Sequence, residues 1–189
     1  MPSEPTARWI VPLHDGNRVV EFEHGTASGK RVVRVNGKTI IHRDWMFRLV
    51  GDEEFVYGGT KFIIRVDPIP ESYMDFISGL KYSYTLWVNG KSFTSFIQEQ
   101  SKILETWIVR IGEKKYKVIL DKNSLSVWMN GEEVQVENQF VDDGAEMIFK
   151  IDGTQAVIRS YSSQQKGFGI KYILFADGIQ VTEKGLLSD

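Results

Sequence analysis

Three histidines, one run of acids and one glycine-rich loop are the residues in this 189-residue chain whose types could do chemistry. The histidines are His14, His24 and His42, all in the first half. General-base catalysis needs a histidine within hydrogen-bond reach of a nucleophile and of an orienting acid. These spacings assemble no such group, and no pair has the spacing of a zinc site. All three read as turn and surface residues. Asp142-Asp143-Gly144 with Glu146 is the densest run of carboxylates, but a calcium loop needs a glycine at its sixth position and a glutamate at its twelfth. It reads as a solvated turn ahead of a strand. Gly25 to Arg31 (GTASGKR) looks like a phosphate-binding loop, yet three residues rather than four separate its glycines and Arg31 follows Lys30 where Ser or Thr is required. A tight hairpin loop is the better account. The chain has no cysteine, so thiolate metal sites, cysteine nucleophiles and disulfides are all excluded. No metal, nucleotide or other cofactor is expected.

The whole-chain balance narrows the partners. Lys and Arg total 23 against 25 Asp and Glu, a net charge of −2. Up to residue 95 there are 12 basic and 11 acidic residues, and beyond it 11 and 14. Neither half has the concentrated basic face that phosphate-backbone binding requires, so nucleic acid is not an expected partner. The opening MPSEPTARW is polar and carries Pro2 and Pro5, unlike a secretion signal. No apolar run approaches the ~20 residues of a membrane span. A cytoplasmic protein without a membrane span is expected.

The elements that must position these residues repeat. Trp9-Ile10-Val11 recurs as Trp107-Ile108-Val109, VVRVNGK from Val32 as SVWMNGE from Ser126, and Lys61 to Arg65 (KFIIR) as Gln155 to Arg159 (QAVIR). Phe47 to Gly51 (FRLVG) is paired with Phe149 to Gly153 (FKIDG), and Tyr84 to Gly90 with Tyr172 to Gly178. The offsets are 98, 94, 94, 102 and 88 residues, with the order kept. A period this long predicts two tandem domains rather than a solenoid. Period-2 stretches such as Arg31 to Val35 predict strands. Asn36-Gly37, Asn89-Gly90, Asn130-Gly131, Asp15-Gly16, Asp152-Gly153 and Asp177-Gly178 between them predict hairpin turns, because Asn, Asp and Gly tolerate positive φ.

The predicted fold class is therefore all-β, with two sandwich-like domains of about seven antiparallel strands each, related by duplication. Residues 6–95 form the first, 96–104 a linker and 105–185 the second. Ser92 to Glu105 is expected to be a short helix or irregular segment, and Asp67 to Ser78 a loop insertion. Among the five tryptophans, Trp9 and Trp107 are repeat-equivalent and read as core anchors, and Trp45 lies in an apolar run with Met46 and Phe47. Trp87 and Trp128 are the better surface candidates.

Glu21 to Lys38 (EFEHGTASGKRVVRVNGK), Trp45 to Gly51 (WMFRLVG), Tyr82 to Lys91 (YSYTLWVNGK) and Phe140 to Gly144 (FVDDG) resemble, in order, segments of the Fas apoptotic inhibitory molecule family. The likeness runs from Trp9 to about Val181. It implies tandem β-sandwich-like domains in a cytosolic, non-enzymatic regulator that protects cells from death-receptor-triggered apoptosis and suppresses protein aggregation. Its implied partners are death-receptor signalling components or misfolded clients. No catalytic residue comes with the resemblance. Such a protein would accept extended segments at strand edges and apolar patches. The competing class is a carbohydrate- or small-ligand-binding sandwich, or a hydrolase using Asp142, Asp143 or Glu146.

The loop from His24 to Lys30 has no counterpart of equal length in the second repeat, where Asp121 leads almost directly to Ser124. Extra loops on a duplicated scaffold are common places for function. His24, Ser28, Lys30 and Arg31 are accordingly the candidate protein-binding residues, read as accessible polar contacts.

Overall fold

A computed structural model describes residues 4–69, 81–142, 144–161 and 169–185. Among them lie seventeen strands and one helix. The fold is all-β, as the alternation predicts. The first half contributes β1 (Ala7–Leu13), β2 (Gly16–His24), β3 (Arg31–Val35), β4 (Lys38–Arg43), β5 (Gly51–Tyr57), β6 (Thr60–Pro68), β7 (Tyr82–Val88) and β8 (Lys91–Ser92). The helix α1 (Phe93–Ile103) follows. The second half contributes β9 (Leu104–Ile111), β10 (Lys114–Asp121), β11 (Ser126–Met129), β12 (Glu132–Val134), β13 (Glu137–Val141), β14 (Gly144–Ile151), β15 (Thr154–Tyr161), β16 (Lys171–Ala176) and β17 (Ile179–Gln180). Eight and nine described strands replace the expected seven per half, because short terminal strands β8 and β17 and the extra β13 join the sheets.

Each half holds two antiparallel sheets. Their strand orders are β1-β2-β3-β4 and β5-β6-β7-β8 in the first, and β9-β10-β11-β12 and β13-β14-β15-β16-β17 in the second. By contacts, one compact unit comprises Met1–Pro12 and Asn17–Glu99, and the other Leu13–Gly16 and Gln100–Asp189.

Period-2 alternation sets the core of each unit. Along β6, Thr60, Phe62, Ile64 and Val66 are buried while the residues between them are not. Along β14 and β15 the buried set is Met147, Phe149, Ile151, Ala156 and Ile158, packed with Trp107, Val109, Val118, Leu120, Val127 and Leu174. Fully burying such an aliphatic or aromatic side chain contributes ~1.5–3 kcal/mol.

The Asn-Gly turns do what the residue types predict. Asn36 (φ 50°) and Gly37 (φ 77°) both take positive φ, as do Asn89-Gly90 and Asn130-Gly131. Each asparagine also ties in a third strand: Asn36 Oδ1 accepts the Val19 N–H at 2.8 Å, Asn89 Oδ1 that of Lys61 at 3.0 Å, and Asn130 Oδ1 that of Lys117 at 2.8 Å. At Asp15-Gly16 the glycine alone has positive φ.

Helix α1 starts at Phe93 because the Ser92 hydroxyl accepts the Ser95 N–H at 3.3 Å, an N-cap. Its apolar face buries Phe96. Asp67 and Pro68 end β6 rather than open a loop; residues 70–78 of the expected insertion lie outside the described residues.

One expected repeat match is wrong. Phe149 to Gly153 closes β14 and its turn, and the equivalent in the first half is Phe55 to Gly59, closing β5. Phe55 faces Phe62 and Phe149 faces Ala156, so both hairpins share an offset of 94 residues. Phe47 to Gly51 instead leads into β5, with Gly51 its first residue.

Candidate functional site

The loop between β2 and β3 spans residues 25–30, six residues against four between β10 and β11, a smaller excess than the sequence alignment implies. Gly25 N–H donates to the Lys30 carbonyl at 2.8 Å, and Gly29 N–H to the Gly25 carbonyl at 2.7 Å. The Ser28 hydroxyl accepts the Lys30 N–H at 3.2 Å. These bonds close a compact turn with Gly29 at φ 69°, a conformation that favours glycine.

The expectation that all four loop residues are accessible is corrected at both strand ends. His24 is 8% exposed and Arg31 only 1%. They face each other across β2 and β3, so they share one side of the sheet, the side that packs on β5 and β7. Arg31 Nη1 donates to Glu53 Oε1 at 3.1 Å, and Arg43 Nε lies 3.5 Å from the same oxygen. A charge so buried is tolerated only with such a partner. Ser28 and Lys30 are half-buried, with Lys30 Nζ 3.4 Å from Glu23 Oε2. Arg34 also pairs with Glu23.

His24 sits in an aromatic box. Its Nδ1 is 3.0 Å from the Tyr84 hydroxyl, its ring meets Tyr82 edge-on at 4.9 Å, and Phe22 stacks at 6.1 Å. Burial lowers its pKa below the usual histidine value, the Arg31 charge lowers it further, and the Leu49 carbonyl opposes both. His24 is thus a structural residue, not the turn histidine the sequence suggests. His14 and His42 are half-exposed, and His42 Nε2 lies 2.9 Å from Asp44 Oδ1.

The carboxylate cluster is described in part. Asp142 is exposed, Asp143 lies outside the described residues, and Glu146 Oε1 is engaged by Arg159 Nε at 2.7 Å. Among the described residues, no three His, Asp or Glu side chains are arranged to hold a metal ion.

The residues that sequence reading missed are in the stretch between β4 and β5. Trp45, in an apolar run with Met46 and Phe47, is 57% exposed, and Phe47 is 93% exposed. Their rings meet edge-on with centroids 4.1 Å apart. The stretch is held from beneath by the glycine-rich loop: Met46 N–H donates to the Ser28 carbonyl at 3.0 Å. A Cβ on Gly29 would come within 2.4 Å of the Met46 carbonyl oxygen. Further along, Arg31 Nη2 lies 3.5 Å from the Arg48 carbonyl oxygen. Loop and buried arginine therefore present an aromatic pair to solvent, with half-exposed Arg43 just before it in the chain. Exposed, pre-positioned Trp and Phe are typical anchors of protein contacts. One sequence signal pointed here. The match of Phe47 to Gly51 was the sole offset, 102, to break an otherwise falling series.

The remaining tryptophans divide differently from expectation. Trp107 is buried, while Trp9, Trp87 and Trp128 are half-buried, so repeat equivalence does not give equal burial.

Two sandwich-like antiparallel halves related by duplication, the first bearing an exposed aromatic pair, define an all-β protein. The chain belongs to the Fas apoptotic inhibitory molecule family. The sequence model of that family, described as Fas apoptotic inhibitory molecule (FAIM1), matches residues 5–184. Fas apoptotic inhibitory molecule 1 of Homo sapiens is 40% identical over 177 residues, covering 94% of this chain and 96% of that protein. The Bos taurus and Mus musculus proteins of the same name are also 40% identical over 177 residues, covering 85% and 96% of their lengths. Among the described residues, no helix is long and apolar enough to cross a membrane.

Proposed function

We propose that this protein is a non-enzymatic cytoplasmic regulator that protects against death-receptor-mediated apoptosis and protein aggregation through protein–protein contacts. Family membership supports the apoptotic part, since the relatives are named as Fas apoptotic inhibitory molecules. The observation that carries the contact reading is the exposed pair Trp45 and Phe47, held by the loop at Ser28 and Gly29. In this reading Trp45, Phe47, Ser28 and Lys30 touch the partner, a death-receptor signalling component or a misfolded client. His24 and Arg31 support them from below.

The double substitution Trp45→Ser/Phe47→Ser tests it. Exposed side chains contribute little to stability, so Tm should move by no more than the effect of about 0.5 kcal/mol per site. Rescue of cells from Fas-triggered death and suppression of light scattering by a heat-unfolded client should both fall. A folded double variant with full activity in both assays would place the contact surface elsewhere.

A further inference from the structure

The duplication allows one edge to be compared with its own repeat. In the second unit β14 is paired on both sides, with β13 and with β15. Its repeat equivalent β5 pairs with β6 on one side, and among the described residues no strand pairs with the other. The chain reaches β5 through residues 44–50, none of which is in a strand. An unpaired edge presents a row of backbone N–H and C=O groups that can template a further strand.

The filled slot in the second unit shows what the open one takes. At the shared offset of 94 residues, Glu53 stands where the second unit has Met147, and Gly51 where it has Ala145. Met147 faces Asn138 of β13, and Ala145 faces Phe140. Two residues before Asn138, Val136 packs against the core. Phe140 itself is exposed, so the apolar position carried over is the one at Val136. An added strand in this register has an apolar residue two positions before its central residue, and places that central residue beside Glu53. There the charge is not balanced: the guanidinium groups of Arg31 and Arg43 meet a single carboxylate, and Arg43 is 53% exposed. An acidic side chain at the central position answers that excess.

We propose that the outer edge of β5 is a strand-acceptor site for an extended segment of a client or partner protein, with an acidic residue opposite Glu53 and an apolar residue two positions before it. This rests on the protein-contact reading above and names the segment that such contact would take. Backbone pairing supplies affinity, and the alternating side chains supply selectivity.

The test uses the full-length protein and synthetic peptides based on residues 134–142 (VQVENQFVD), the chain's own strand for this slot, with Asn138→Glu or Asn138→Lys. Binding followed by NMR should perturb backbone amides along residues 51–57. The Glu peptide should bind about fivefold more tightly than the Lys peptide, the size of one exposed charge pair. Arg43→Gln should erase that preference while the protein stays folded. Absence of binding, equal affinity for both peptides, or perturbation confined to β4, β13 or β17 would each overturn the proposal. Should the protein fail to suppress client aggregation at all, the functional reading falls while a positive titration leaves the acceptor edge standing.

Discussion

Arg31 and Glu53 join the two sheets of the first unit: Arg31 on β3 donates from Nη1 to Glu53 Oε1 on β5 across 3.1 Å, with both side chains almost fully enclosed. Removing one member of such a pair leaves an uncompensated charge, at a cost of ~3–5 kcal/mol. Arg31→Ala should therefore lower the Tm of the first unit by more than about 10 °C, given ~4–8 °C per kcal/mol in a domain of this size. Ser28→Ala/Lys30→Ala should leave it nearly unchanged. Calorimetry on both variants checks the contrast, and equal Tm values would remove the buried pair from the account.

His24 makes the stability of the first unit pH-dependent. Its native pKa lies below the ordinary value of about 6.5 because burial and Arg31 disfavour the charged ring. Below about pH 6.5 the unfolded chain takes up the proton more readily than the native state, so stability falls as pH falls. Above that pH both states carry a neutral ring and the effect vanishes. His24→Gln should flatten the Tm profile between pH 7 and the acid side. A Tm difference between wild type and variant that stays constant with pH would contradict the assignment.

Gly29 supports the aromatic face from behind. Its φ of 69° and the 2.4 Å approach of the Met46 carbonyl to a built Cβ leave no room for a side chain. Gly29→Ala should cost more than about 1 kcal/mol. It should also push residues 44–50 outward, which limited proteolysis would register as faster cleavage there. Wild-type cleavage rates would mean the two loops are not coupled.

Trp45 should dominate the accessible tryptophan fluorescence, since Trp107 is enclosed and the other three are half-buried. Trp45→Phe should remove the fraction most readily quenched by acrylamide and shift the remaining emission to the blue. An unchanged quenching curve would mean that Trp45 is covered in solution.

The second unit should fold without the first. Its core, from Trp107 to Leu174, draws on strands of the second half alone. A fragment covering residues 100–189 should give a β-type circular dichroism spectrum and a cooperative melt. A disordered fragment beside a folded full chain would reject two autonomous domains.

The residues by themselves determined what local chemistry controls. Asn36-Gly37 and its repeats make type I′ turns because the preference for positive φ belongs to the residues. Alternation along β6 or β14 declares which side chains enter a core, because successive strand residues point to opposite faces. The duplication and the likeness to the Fas apoptotic inhibitory molecule family follow from order alone. Burial of charge was not legible, because Arg31 is enclosed only through Glu53, 22 residues away on another sheet. A histidine before a glycine looks like a turn residue until Tyr82 and Tyr84 close around it. Trp45 and Phe47 read as an apolar run until the glycine-rich loop holds their backbone at the surface. The repeat likewise concealed β13: strand pairing decides whether a duplicated edge is filled or open, and such pairing is a contact between segments distant in the chain.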